Sequence, residues 1–240
     1  MKNIGVQLKA ELLLLARNGE QLLLTIVIPV MLLAFFGAVD VLPTGDMDSI
    51  DFLVPGIVAV AIMSTAMVSL GIATGFERSY SVLKRLGATP LTRTQLVTAK
   101  ALSVFVVEIV QLALLIPIGL AYQWRPNGAA SLLALVGVLL GSLAFAGIGL
   151  FLAGTLRAEI NLAAQNGLYI VLLLLSGMII ATDSLPSVIA TVSTYLPSGA
   201  LADFMRSSLS GEGQLLVPGL ILTVWAVAAP IVAARRFRWS

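Results

Sequence analysis

Two polar side chains lie where a membrane-embedded relay would need them. Glu108 and Gln111 sit inside a long apolar run. From Lys100 to Glu108 the helix would rise about 12 Å. An uncompensated carboxylate at that depth in hydrocarbon is expensive, so Glu108 must face protein, water or a cation, or carry a proton. Gln111 follows within a turn, and Pro117 can loosen the same helix. The pair suits either a polar point on a transport path, with Glu108 as a proton relay, or a polar contact between helices. Little else in the chain could do chemistry. Histidine and cysteine are both absent. That removes the commonest metal ligand, the commonest general base and the thiolate nucleophile. Asp40, Asp46, Asp48, Asp51, Asp183 and Asp203 all fall outside the apolar runs or at their ends, so no paired-aspartate site forms within a span. No Gly-x-x-x-x-Gly-Lys-Ser/Thr loop occurs, so the chain is not expected to hydrolyse ATP. Catalytic, cofactor-binding and metal-binding residues are expected to be none.

Composition fixes the solvent of the elements that must hold these groups. The chain is 59% hydrophobic and 11% charged, with a mean hydropathy of +1.03. Soluble domains carry about 25% charged residues. A chain with less than half that share needs lipid around it, which predicts an all-α integral membrane protein forming one domain over 1–240. The net charge of +2 does not argue for nucleic acid, because the basic residues are scattered between apolar runs.

Six spans are expected, at about 21–39, 52–75, 101–122, 129–153, 163–181 and 215–234, each near the length that crosses hydrocarbon. Pro29 is expected to kink the first. Before it, residues 1–18 hold Ile4, Leu8, Leu12 and Leu15 on one helical side, with Glu11 close by. This predicts an interfacial helix, a plain extension of the first span being the alternative. The fourth span carries Gly137-x-x-x-Gly141, then Gly147, Gly149 and Gly154. Small residues at such spacing allow close helix approach, read here as packing within the subunit.

The basic residues orient the chain. One set of loops holds Lys2, Lys9, Arg17, the cations of 76–100, Arg157, Arg235, Arg236 and Arg238; the other holds only Arg125 and Arg206. Both termini and 76–100 are therefore expected in the cytoplasm. The aspartate loop at 40–51 and the segment 182–214 are expected outside. That outer segment repeats Ile189, Val192 and Leu196, then Leu201, Phe204, Met205 and Leu209. Two short helices joined at Pro197, with Pro186 at their entry, are expected to dip into the membrane as a re-entrant pair or to lie on it as a hairpin.

The stretch 76–100 carries Arg78, Lys84, Arg85, Arg93 and Lys100. Wound as a helix, Phe76, Tyr80, Leu83 and Gly87 fall on one side, with Val82 and Leu86 beside them. Glu77, Arg78, Lys84 and Arg85 fall on the other. Gly87 offers a stop, Pro90 denies Thr89 the helical region, and Thr92 can cap a new helix. The expectation is one short amphipathic helix that receives force from another protein. A surface helix whose cations meet anionic lipid is the alternative.

The same residues resemble a known family. Glu77-Arg78, Leu83-Lys84-Arg85-Leu86, Ala88-Thr89-Pro90-Leu91 and Arg93 resemble the coupling-helix segment in the permease subunit of a type-two ABC exporter. Glu11-Leu12 through Leu15, Arg17-Asn18 and Phe35-Phe36-Gly37 resemble that family's opening. Ser176-Gly177, Leu185-Pro186 and Tyr195-Leu196-Pro197 resemble its outer re-entrant region. The pattern is closer to the drug-resistance, daunorubicin-type branch than to the polysaccharide branch. The resemblance implies two permease halves, two copies of a cytoplasmic ABC ATPase that holds ATP and magnesium, and a bacterial inner-membrane location. It also implies export of a drug, lipid or glycolipid. Phe76, Glu77, Arg78, Tyr80, Leu83, Lys84, Arg85 and Leu86 would couple to the ATPase. Two other classes remain: an ion-gradient carrier using Glu108 as its proton site, and a non-transporting membrane scaffold.

Overall fold

The structure is a computed structural model that describes residues 2–39, 48–86, 88–126, 131–211 and 213–237. Asp40, Asp46, Gly87 and Arg238 lie outside them, so the aspartate loop and the glycine stop are not described. Among the described residues every regular element is a helix. In chain order these are α1 (Lys2–Arg17) and α2, built from Gly19–Leu22, a π-helical turn at Leu23–Val27, and Ile28–Ala38. Then come α3 (Ser49–Ser79), with a second π-helical stretch at Ser64–Ser69, α4 (Val82–Leu86), α5 (Arg93–Ala121) and α6 (Ser131–Thr155). They are followed by α7 (Ala158–Leu175), α8 (Ser187–Tyr195), α9 (Pro197–Ser210) and α10 (Leu216–Arg236).

Among the described residues five helices, α3, α6, α7, α10 and Gln95–Ala121 of α5, are long and apolar enough to cross a membrane. The chain is therefore a multi-pass, all-helical membrane protein. Thr25–Ala38 is apolar but shorter. The expected span 163–181 also moves. Its helix begins at Ala158 and ends at Leu175, and the backbone bends through Ser176–Ile180, where Gly177 takes a φ of +67°.

Helix α3 is the axis of the bundle. The most apolar stretch of α3 is 89% buried, against 22–44% in the other four crossing helices. It packs on α2, α5, α6, α7 and α9, and Ile57, Ile62, Met63 and Met67 have less than 2% of their surface exposed. The other crossing helices present leucine, isoleucine and valine outward, as lipid solvation allows.

The glycines of α6 allow that packing. A Cβ on Gly137 would meet the Phe204 ring and Met205, and one on Gly141 would meet Leu201. At Gly147 it would lie 2.5 Å from the Pro230 nitrogen, and at Gly149 2.5 Å from the Met67 carbonyl oxygen. The glycine face thus receives α9, α10 and α3 of the same chain, the intramolecular use expected from its spacing. The two short helices at Pro197 are present, with Pro197 at the first helical position of α9, where its missing N–H costs nothing. Most of α9 is buried, so it is packed into protein and does not lie on the surface.

Candidate functional site

The cationic segment is folded differently from the single helix expected over 76–86. Helix α3 continues to Ser79, Tyr80 ends it, and Ser81 sits at a φ of +58°. A left-handed residue cannot continue an α-helix, so α4 starts anew at Val82. The break re-sorts the side chains. Leu83 is buried at 3% exposure, whereas Tyr80 is 67% exposed and stacks on Phe76 with ring centroids 6.0 Å apart. Lys84 and Arg85 are exposed, and Leu86 is half-buried. Arg85 donates to the Tyr80 carbonyl at 3.0 Å, which closes the break. Thr92 then caps α5 as expected. Its hydroxyl accepts from the Gln95 N–H at 3.2 Å, and the Gln95 side chain accepts from the Thr92 N–H at 3.0 Å, a capping box.

Glu77 and Arg78, expected to face outward with Lys84 and Arg85, turn inward. Arg78 donates to the Leu156 carbonyl at the end of α6. Glu77 meets Lys100 of α5, with Nζ at 2.7 Å and 2.8 Å from its two oxygens. The same Nζ lies 3.0 Å and 3.1 Å from the two oxygens of Glu11 on α1, and Gln7 donates to Glu11 at 2.8 Å. One ammonium offers three N–H donors and here serves two carboxylates. Lys100 and Glu11 are 4% and 8% exposed. Glu11 therefore belongs on the packed face of α1, although it looked misplaced among leucines. The bridge fastens three elements together: α1, the end of α3 just before α4, and the start of α5.

Gln111 bridges the two π-helical stretches. Pro29 has no N–H to give the Thr25 carbonyl four residues back. Gln111 supplies the missing donor, with Nε2 2.6 Å from that oxygen. Its own Oε1 accepts from the Thr65 hydroxyl at 3.1 Å. Thr25 lies in the π turn of α2, and Thr65 in that of α3. Gln21, just before the first π turn, donates to the Ser69 hydroxyl and carbonyl at the end of the second. Glu108, three residues before Gln111, is 1% exposed. The Ser142 hydroxyl of α6 lies 2.7 Å from both its oxygens and 2.7 Å from the Val138 carbonyl. The carboxyl is thus enclosed between α5 and α6 in this conformation.

Near the Phe52 end of α3 the polar work falls to Arg206 of α9. Read as an outer-loop cation, it is instead buried at 8% exposure. It donates to the carbonyls of Gly177 and, at 3.1 Å, Met178, which satisfies the bent backbone after α7. Its guanidinium carbon lies 3.8 Å from the centre of the Phe52 ring. A Cβ on Gly56 would sit 2.0 Å from the Met178 oxygen, so the bend needs that glycine. Phe204 is 6% exposed and fills the space left by Gly137 and Gly219, Pro197 is buried, and Pro186 is exposed.

The sequence reading passed over Glu11 and Lys100 as a pair, and also Ser142, Arg206, Asn161 and Gln165. Asn161 donates to the Gly71 carbonyl and Gln165 to that of Gly149, at notches that a Cβ on Gly71 or Gly75 would fill. Their four-residue spacing on α7 was the available signal. Among the described residues no three potential acidic, histidine or cysteine ligands gather as a metal site.

A description of the ABC-2 type transporter family matches residues 2–209. Over 185 residues the chain is 24% identical to the "Probable multidrug ABC transporter permease YbhS" of Escherichia coli K12, and likewise to its counterpart in Escherichia coli O157:H7. That alignment takes in 75% of this chain and 48% of each relative, so the chain spans about half the length of the curated relatives it matches. With the family match covering most of the helical bundle, the chain belongs to the ABC-2 type transporters, as a membrane-embedded permease subunit.

Proposed function

We propose that this chain is the membrane-spanning half-unit of an ATP-driven exporter, driven from the cytoplasm at α4. Two such permeases, identical or sister chains, would join two copies of a cytoplasmic ABC ATPase, which would hold ATP and magnesium. The cargo is a hydrophobic or amphipathic molecule: a drug, a lipid or a glycolipid. The name of the Escherichia coli relative, a probable multidrug permease, favours the drug-export branch. A sixth crossing by α2, a bacterial inner-membrane location and cytoplasmic termini complete the reading.

One observation carries it. The most buried of the five long apolar helices, α3, leads through a single left-handed residue, Ser81, into the exposed Lys84-Arg85 tip of α4. Force applied at that tip reaches α3 without crossing a flexible linker. It also reaches α1 and α5, because Lys100 ties their ends to Glu77. Glu108 is bonded to Ser142 and enclosed, which favours a contact between helices over an open proton path. The direct test is to isolate the protein in its complex from native membranes and identify its companions. An ABC ATPase at one copy per permease supports the proposal. Transport by the purified chain without any nucleotide-hydrolysing companion refutes it.

A further inference from the structure

The contacts of Ser142 need more protons than a serine can supply. Its hydroxyl oxygen lies 2.7 Å from the Val138 carbonyl and 2.7 Å from each oxygen of Glu108. Two oxygens this close need a proton between them, and a hydroxyl has one to give. If that proton goes to Val138, one turn back on α6, nothing joins Ser142 to an ionised Glu108. If it goes to Glu108, the contact with Val138 has none. Two protons are required, and the second has to sit on the carboxyl. Glu108 then donates to Ser142, and Ser142 donates to Val138.

The surroundings of Glu108 agree. It is 1% exposed and Ser142 2%. Gln111 has nothing to spare, since its amide donates to Thr25 and its oxygen accepts from Thr65. α6 holds no titratable side chain, and neither 23–38 of α2 nor 52–76 of α3 holds one. Lys100, about 12 Å back along α5, is engaged by Glu11 and Glu77. On α1, Lys9 and Arg17 are exposed. On α9, which packs against α6, Arg206 and Asp203 face each other. A carboxylate enclosed without a cation is expensive, and a proton removes its charge.

We propose that Glu108 is a proton-binding site: a neutral acid in this conformation, which clasps Ser142 and gives its proton to water when α5 and α6 part. The clasp joins two groups of helices. α5 packs on α1, α2 and α3, whereas α6 packs on α3, α7, α9 and α10. Parting turns the acid into a carboxylate and one proton in water; closure takes one proton back. The closed form therefore holds one proton more. Its population relative to the open form falls about tenfold for each pH unit while the group titrates, so acid favours closure and base favours opening. That the opening belongs to a transport cycle rests on the export reading; the protonation does not.

The test begins with infrared spectra of the intact transporter complex, free of nucleotide, at neutral pH. The nanodiscs are of ether-linked lipid, which has no ester carbonyl to mask the signal. Wild type minus Glu108→Gln should show the carbonyl stretch of a protonated carboxylic acid. Ser142→Ala keeps the acid but removes its partner, and should move that band to higher frequency. Co-elution of each variant with its ATPase confirms that it has folded. A carboxylate signal in place of the acid band, or an acid band that Ser142→Ala leaves unmoved, would overturn the proposal. The clasp itself is followed by spin labels at Val97→Cys and Thr155→Cys, exposed positions at the start of α5 and the end of α6. The chain has no cysteine of its own, and the ATPase is used in a cysteine-free form. The separated population should grow as pH rises in the wild type and stay small at every pH in Glu108→Gln. Equal behaviour of the two would overturn the clasp. Transport without a nucleotide-hydrolysing companion would contradict the export reading and leave the acid band in place.

Discussion

At the Ser79 end of α3 three helices are held by charge; at the Phe52 end they are held by glycine packing and by one arginine bonded to backbone. The first end places a single ammonium between the side chains of Glu11 and Glu77, next to the bond from Arg78 to the Leu156 carbonyl. Side chains can exchange partners, and the exposed tip of α4 lies next to them. The second end places Arg206 on the carbonyls of Gly177 and Met178, with Gly56 so close to the same backbone that no side chain fits. Backbone partners of that kind cannot be exchanged without bending the chain. The difference gives the two ends different work. The charged end can transmit a displacement, and the packed end resists one and fixes α9 against α3.

The largest effect is expected from Lys100→Met. It leaves two carboxylates buried without their cation, and breaking a buried pair costs about 3–5 kcal/mol. Thermal unfolding of the purified complex should fall sharply. Adding Glu11→Gln and Glu77→Gln should recover most of the loss, because a neutral buried set needs no counter-ion. A stable single variant would show that charge does not hold this end, and the contrast between the ends would fail.

Next comes Arg206→Leu. It strips donors from two buried carbonyls, at about 1–3 kcal/mol for each group left unsatisfied. Hydrogen exchange should rise in residues 176–180 and in α9, with residues 2–17 and 93–100 unaffected. Exchange that rises equally at both ends would mean that they form one cooperative unit. A smaller effect, about 1–3 kcal/mol, is expected from Gln111→Leu, which leaves the Thr25 carbonyl without a donor beside Pro29. Extra exchange confined to the two π-helical stretches sharpens the picture of a bridge midway between the ends.

Much of this was legible in the chain. Thr92 announced a cap, Pro197 announced the joint of two short helices, and the glycines of α6 announced close packing, because each works through local geometry or through spacing on one helix. The inward turn of Glu77 and Arg78 was not legible. Periodicity ran a helix straight through Ser81, and nothing local to a serine requires a left-handed backbone there. Glu11 looked like a flaw in an apolar stripe because its partner, Lys100, lies far along the sequence, and a single sequence does not pair distant residues. Arg206 was counted with the loops because its acceptors are backbone carbonyls, which have no letter in the sequence. The π turn in α2 hid for a related reason: Pro29 signalled a kink, but the donor that replaces its N–H comes from another helix.

The central claim is that force enters at α4, and reversing its charge tests this most directly. Lys84 and Arg85 are exposed, so Lys84→Glu with Arg85→Glu should change stability by no more than about 0.5 kcal/mol. Transport per ATP hydrolysed is then measured in proteoliposomes containing the complex. The account expects ATP hydrolysis to continue while transport per ATP falls at least about tenfold, equivalent to about 1.4 kcal/mol of lost coupling. Transport per ATP at the unmodified level, with both reversals present and the ATPase still bound, would contradict it.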